Sequence, residues 1–292
     1  LPVTGPPSGA GGRTLGPIYY WVLWLGRVTA GPFTDNLPHT GGLIVSLLQG
    51  VGDTWLLWVL MTRLPITLAL AASLLAASAP FDVGLSATIW NPPVAAALAK
   101  MAMALVLTLG KEPAWWRLAA TAGTAWLAVQ AHSTGAFVGV PILAALIGMP
   151  LVERQWRRAG QVAALAIGVI AILQVPYLVA QFRAPDTSLA PTMVIESFTQ
   201  ASSVDVVKSY STVTDITGGL LVRQLDTWKL RWPTLVVIVI VLARWRQDLP
   251  LVAASVGGLA TAGALFATWT HPYDSYWFMT LTMSMALAYA LA

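Results

Sequence analysis

The sequence predicts an all-α protein: a polytopic transmembrane helical bundle with an interfacial amphipathic helix near the N-terminus and extracytoplasmic loops. Three observations predict it. Hydrophobic residues make up 57% of the 292 and charged residues 10%, against about 25% charged in a soluble domain, and mean hydropathy is +0.71. Apolar runs recur along the chain at lengths close to the about 20 helical residues that cross a ~30 Å hydrocarbon layer. The basic residues of the connections fall in every second one, as the positive-inside rule requires of a multi-pass chain.

Taken in order, residues 1–14 are rich in Gly, Pro, Ser and Thr, without apolar period, and read as a loop. Pro17 to Val28 is too short to span but carries Tyr19, Tyr20, Trp21 and Trp24, and so reads as a helix lying flat at the membrane interface. Apolar runs follow at about 41–62, 65–80, 92–110, 114–132, 135–152, 159–182, 232–243, 250–270 and 276–292. The stretch from 183 to 231 mixes Ser, Thr, Asp and Val without helical period and reads as a long outer loop. The chain is thus one transmembrane unit: loop and interfacial helix at 1–40, a first group of spans at 41–182, the loop at 183–231 and the last spans at 232–292.

Arg63, then Lys111 with Arg117, then Arg154, Arg157 and Arg158, then Arg244 and Arg246 lie in alternate connections, which should be cytoplasmic. The remaining connections should face outward, and they hold four polar and aromatic clusters: Arg13 to Trp21, Trp90-Asn91-Pro92, Gln130 to Thr134, and His271 to Trp277. The long loop also carries Lys208, Arg223, Lys229 and Arg231, but long loops are less bound by the rule.

The absence of cysteine excludes disulfides and thiolate metal sites, and three histidines without HExxH-like spacing leave no zinc signature. No cofactor or metal is expected. The net charge of +4 is explained by membrane topology rather than by nucleic-acid binding. Leu1 and the apolar carboxyl end lead us to expect a fragment cut at both ends.

Several residues could carry chemistry, each with a structural reading beside the functional one. Arg13, and with less support Arg223, could grip a phosphate through the guanidinium fork, or snorkel to headgroups. Asn91 can cap a helix and Pro92 suits its first turn, while Trp90 could stack on a sugar or sit in the interfacial belt. His132, beside Gln130 and Ser133, is either a satisfied helix-end residue or part of a pocket. His271, Tyr273, Asp274 and Tyr276 offer an imidazole, a carboxylate and two phenols for hydrogen bonding or proton transfer, or anchor a helix entrance. Asp53, with Gln49 a turn earlier, reads as a mid-span carboxylate with no charged counterpart near the centre of another span. That favours an interhelical contact over a transport path.

In sequence order, Gly-Pro-Ile-Tyr-Tyr-Trp at 16–21, the stretch from Ser86 to Pro92 ending in Trp-Asn-Pro, Gln130-x-His132-x-Thr134 and Tyr273-x-x-Tyr276-Trp277 resemble the GT-C membrane glycosyltransferases. The likeness is to the bacterial branch related to protein O-mannosyltransferases and lipid A aminoarabinose transferases, and it covers most of the chain. It implies transfer of a sugar from a polyprenyl-phosphate donor to a lipid, glycan or protein acceptor on the extracytoplasmic side of the inner (plasma) membrane. Membrane lipids would be partners and nucleic acid would not. The resemblance also implies an acidic catalytic residue just ahead of the flat aromatic helix. Leu1 to Thr14 contains no Asp or Glu, so that residue is expected upstream, and Asp35 is not given its role. Arg13, His271 and Tyr273 are then the candidates at the donor phosphate, with Tyr19, Tyr20, Trp90, Asn91, His132 and Tyr276 around the donor sugar and phosphate.

Two other classes compete. A secondary transporter requires inverted repeats, broken helices and paired buried charges, whereas a non-catalytic scaffold or lipid-binding protein would need no carboxylate at all.

Overall fold

The computed structural model describes residues 4–6, 16–78, 83, 88–183, 227–261 and 277–292. Among these, every regular element is helical: α1 (Ile18–Ala30), α2 (Leu37–Arg63), α3 (Ile66–Ala77), α4 (Asn91–Leu107), α5 (Trp115–Ala131), α6 (Ala136–Val152), α7 (Trp156–Arg183), α8 (Thr227–Ala243), α9 (Leu249–Val252, continued by a π turn at Ala253–Gly257) and α10 (Trp277–Leu291). Among the described residues three stretches are long and apolar enough to cross a membrane, Leu37–Arg63, Ser133–Val152 and Trp156–Ala180, and several other apolar helices are shorter.

Helix boundaries follow local chemistry. The predicted run at 41–62 begins late because Pro38, His39 and Thr40 dilute its apolar signal. In the structure Asn36 accepts a hydrogen bond from the His39 amide at 3.1 Å, and a proline occupies the first turn, so α2 starts at Leu37. It stops where Pro65 forces Leu64 into extended backbone. α8 starts at Thr227, inside the segment expected to be loop, and takes Lys229 and Arg231 into its first turns.

α4 occupies the centre. Nearly all its side chains are buried, as expected of a helix that is apolar all round, and α2, α5 and α6 pack around it. It runs parallel to α2: the Gln49 amide donates to the Pro93 carbonyl at 2.6 Å, and further along both helices Asp53 meets Lys100. Gly52 sets their spacing, since a Cβ there would lie 3.0 Å from the Ala97 carbonyl oxygen, the small-residue contact that lets two backbones approach closely. α5 returns antiparallel, and α6 turns back against it. α7, by contrast, is largely uncovered: 11% of its apolar window is buried.

Contacts sort the connections into two ends. Arg63 pairs with Asp248, and Arg244 donates to the Tyr289 carbonyl at 2.8 Å, which joins the α2–α3 and α8–α9 connections with the end of α10. Arg117 donates to the Thr108 carbonyl at 2.6 Å and Arg158 to that of Pro113 at 3.5 Å, which joins the α4–α5 and α6–α7 connections. Because α2 and α4 run parallel, both groups lie at the same end. The basic connections singled out in the sequence therefore share one end, and the α3–α4 and α5–α6 connections share the other.

Candidate functional site

At this second end, three of the four polar and aromatic clusters meet. Trp90 enters α4 in extended backbone and makes no side-chain cap. The expectation that Asn91 caps this helix is corrected: Asn91 is its first residue, and its side-chain amide donates across to the Ala131 carbonyl at 3.2 Å. A carbonyl in the last turn of α5 has no intrahelical donor, so Asn91 satisfies a neighbour instead of its own helix. Pro92 lies in the first turn as expected.

The backbone leaves α5 at His132, again extended, and makes one 3-10 turn at Ser133–Gly135 before α6. His132 Nδ1 accepts the Thr134 amide proton at 3.2 Å and lies 2.7 Å from the Thr134 hydroxyl. With Nδ1 used as acceptor, the neutral ring carries its proton on Nε2. Only part of the ring is accessible, and burial lowers its pKa from 6.5 to about 4, because enclosure disfavours the charged form. The Trp90 and His132 rings stand edge to face with centroids 6.4 Å apart.

α1 closes the group. The Tyr19 hydroxyl donates to the Ile89 carbonyl at 3.3 Å, which ties the aromatic helix to the residue before Trp90. Tyr20 packs on Tyr19 with centroids 5.3 Å apart. Burial, with a smaller contribution from Tyr20, raises the Tyr19 pKa above its ordinary value. Gly16 lies against the Gln130 side chain, where a Cβ would come within 2.5 Å of Cδ. Gln130 in turn donates to the Leu173 carbonyl at 2.8 Å and to Gln174 Oε1 at 2.5 Å.

Tyr19, Tyr20, Trp90, Asn91 and His132 are thus brought to one end of the molecule. Arg13, His271, Tyr273 and Tyr276 lie outside the described residues, as does Arg223. The assembled group offers a half-exposed indole face, a ring N–H donor at Nε2 and phenols. It is equipped to stack on a ring and to donate hydrogen bonds, and it contributes no carboxylate of its own.

A second polar group sits deeper. The expectation that Asp53 lacks a charged counterpart is overturned: Lys100, near the middle of α4, places its ammonium 2.7 Å from Asp53 Oδ1 and 3.2 Å from Gln49 Oε1. The lysine side chain is 1% exposed and the aspartate side chain 39%. Asp53 lies on the wall of a cleft of about 200 Å³ between α2, α3 and α10, which Thr54, Ser73 and Ser284 also line. Sequence reasoning missed Lys100 because one lysine vanishes in the Ala-rich run Asn-Pro-Pro-Val-Ala-Ala-Ala-Leu-Ala-Lys. The mid-helix position was the signal. Gln174 was missed too, although an amide inside an apolar run is the same kind of signal.

Compared with known proteins, the chain matches no family model, no curated protein and no solved structure.

Proposed function

We propose that this chain is the membrane portion of a multi-pass glycosyltransferase, which moves a sugar from a polyprenyl-phosphate donor to a lipid, glycan or protein acceptor at the extracytoplasmic face of a bacterial inner membrane. The observation that carries the proposal is the meeting of Tyr19, Trp90, Asn91 and His132 at the end opposite the basic connections. A lipid-borne donor requires a site at the membrane boundary, open to the bilayer for the tail and to water for the acceptor. In that site Trp90 stacks on the sugar ring, whose C–H face suits an aromatic plane, and the Nε2 proton of His132 is donated to a sugar hydroxyl or phosphate oxygen. His132 is a donor here and not the base, since Nδ1 is occupied. Arg13, His271 and Tyr273 are the candidates for the phosphate in this reading.

The test is a transfer assay on the full-length protein with a panel of prenyl-phosphate sugars. Trp90→Ala and His132→Ala should each lower kcat/KM at least about tenfold, the loss of roughly one good contact. Full activity in both variants would refute the reading.

The transporter reading gains one specific support, the Asp53–Lys100 pair beside a cleft, since paired charges within membrane helices mark substrate and ion pathways. It predicts that Asp53→Asn abolishes ion-coupled uptake into proteoliposomes. The glycosyltransferase reading predicts no uptake in the unmodified protein.

A further inference from the structure

The basic end of the molecule holds a feature that sugar transfer does not use. Where α6 gives way to α7, an open crevice of about 620 Å³ is lined by Arg154, Arg157, Arg158, Trp115, Trp156 and two glutamines. Among the described residues no acidic side chain lines it, and the neighbouring Glu153 carboxylate accepts a hydrogen bond from Gln155 at 3.0 Å. Arg154 is held there at φ 61°, the one non-glycine residue with positive φ among those described, a conformation that costs about 1–2 kcal/mol for a residue with a Cβ. Trp115, Trp116 and Trp156 are exposed around it, the belt composition of a membrane–water boundary.

From this crevice the open face of α7 leads away. Gly160 and Gly168 have nothing within 4 Å of a would-be Cβ, and Ile167, Ile172 and Val175 stand exposed along the same helix. The open cationic crevice is therefore followed, along the same helix, by an uncovered apolar face.

We propose that Arg154, Arg157 and Arg158, with Trp115 and Trp156, form a binding site for the phosphodiester headgroup of an anionic glycerophospholipid whose acyl chains lie along the exposed face of α7. Guanidinium forks match phosphate oxygens, and a basic pocket between membrane helices on the cytoplasmic side suits such headgroups. A free phosphate would satisfy the arginines but leave the apolar face of α7 uncovered, so the adjacency of crevice and face selects the lipid. The proposal rests on the membrane reading and is independent of sugar transfer. Membrane insertion is established separately, by resistance of the full-length protein to alkaline carbonate extraction.

The test measures lipid retention by native mass spectrometry of the purified full-length protein, with phosphatidylglycerol and phosphatidylcholine of identical chains as probes. The unmodified protein should prefer phosphatidylglycerol at least about tenfold, and Arg154→Gln/Arg157→Gln/Arg158→Gln should abolish the preference. The corresponding triple lysine variant should keep part of it. Should the glutamine variant fail to fold, raising salt from about 0.05 to about 0.5 M should weaken phosphatidylglycerol retention in the unmodified protein and leave phosphatidylcholine unchanged. Equal retention of the two lipids, or a preference indifferent to salt, overturns the site. Glycerol phosphate competing as strongly as the intact lipid overturns the role of α7.

Discussion

Asp53→Ala should destabilise the protein far more than its partly exposed position implies, because it removes the counter-charge of the buried Lys100 ammonium. At 2.7 Å and an effective dielectric of about 20, the pair attracts by about 6 kcal/mol. Taking both ions out of water costs several kcal/mol each, so the intact pair adds little net stability. Removal of one partner is another matter. Lys100, 1% exposed, would keep its contact with Gln49 Oε1 but lose its counter-charge, and the loss should be about 3–5 kcal/mol. Lys100→Met should cost less, about 1–2 kcal/mol, since the Asp53 carboxylate already faces the cleft and can be hydrated there. The double variant Asp53→Ala/Lys100→Met removes both charges and should be milder than Asp53→Ala alone, a coupling of at least about 2 kcal/mol. Reversible unfolding in mixed micelles would measure all four corners of this cycle. Additive single effects, or a Lys100→Met loss larger than that of Asp53→Ala, would refute the argument.

Three other perturbations follow from the geometry. His132 is half-protonated near pH 6.5 unfolded but only near about 4 when folded, so its contribution is complete above about pH 6.5 and drains away as pH falls toward 4, by up to about 3 kcal/mol. Thermal stability of the unmodified protein should therefore drop across that window more steeply than that of His132→Gln, and parallel curves would disprove it. Gly50→Ala, with nothing within 4 Å, should stabilise α2 by up to about 1 kcal/mol, whereas Gly52→Ala should end at least about 1 kcal/mol below it, because Ala97 is backbone and cannot yield; equal melting temperatures would remove the close-approach argument. Asp248 both pairs with Arg63 and accepts the Leu251 amide at 3.2 Å. Asp248→Ala should accordingly cost about 1 kcal/mol more than Arg63→Ala, which loses only a surface ion pair, and chemical denaturation would show the order.

Much of the helical layout was legible because apolar runs and their breakers are local. Pro65, Pro113 and the polar turn at His132 divide helices where the sequence reading divides them. The grouping of Trp90, His132 and Tyr19 was legible through loop charge, which fixes the end of a helix without any knowledge of packing. What stayed hidden depends on which face a helix turns inward. Asn91 looks like a cap by type, yet only the nearness of the α5 end shows that it serves Ala131. Lys100 and Gln174 are isolated polar side chains in long greasy stretches, and a window average erases them. Gln130 was noticed for its neighbours, while its partner Gln174, 2.5 Å away, is separated from it by a whole hairpin.

The burial of α4 also bears on how the chain is made. In the proposed multi-pass enzyme it would enter the bilayer as a segment of only 17 residues, and a lysine at its centre would oppose insertion by about 2.5–3.5 kcal/mol. Synthesis runs from α2 toward α4, so the aspartate that neutralises that lysine is already in place when α4 emerges. Under the multi-pass reading proposed above, α4 should enter the membrane cooperatively, docked on its predecessor, and slip back toward the ribosome side whenever residue 53 cannot carry a negative charge.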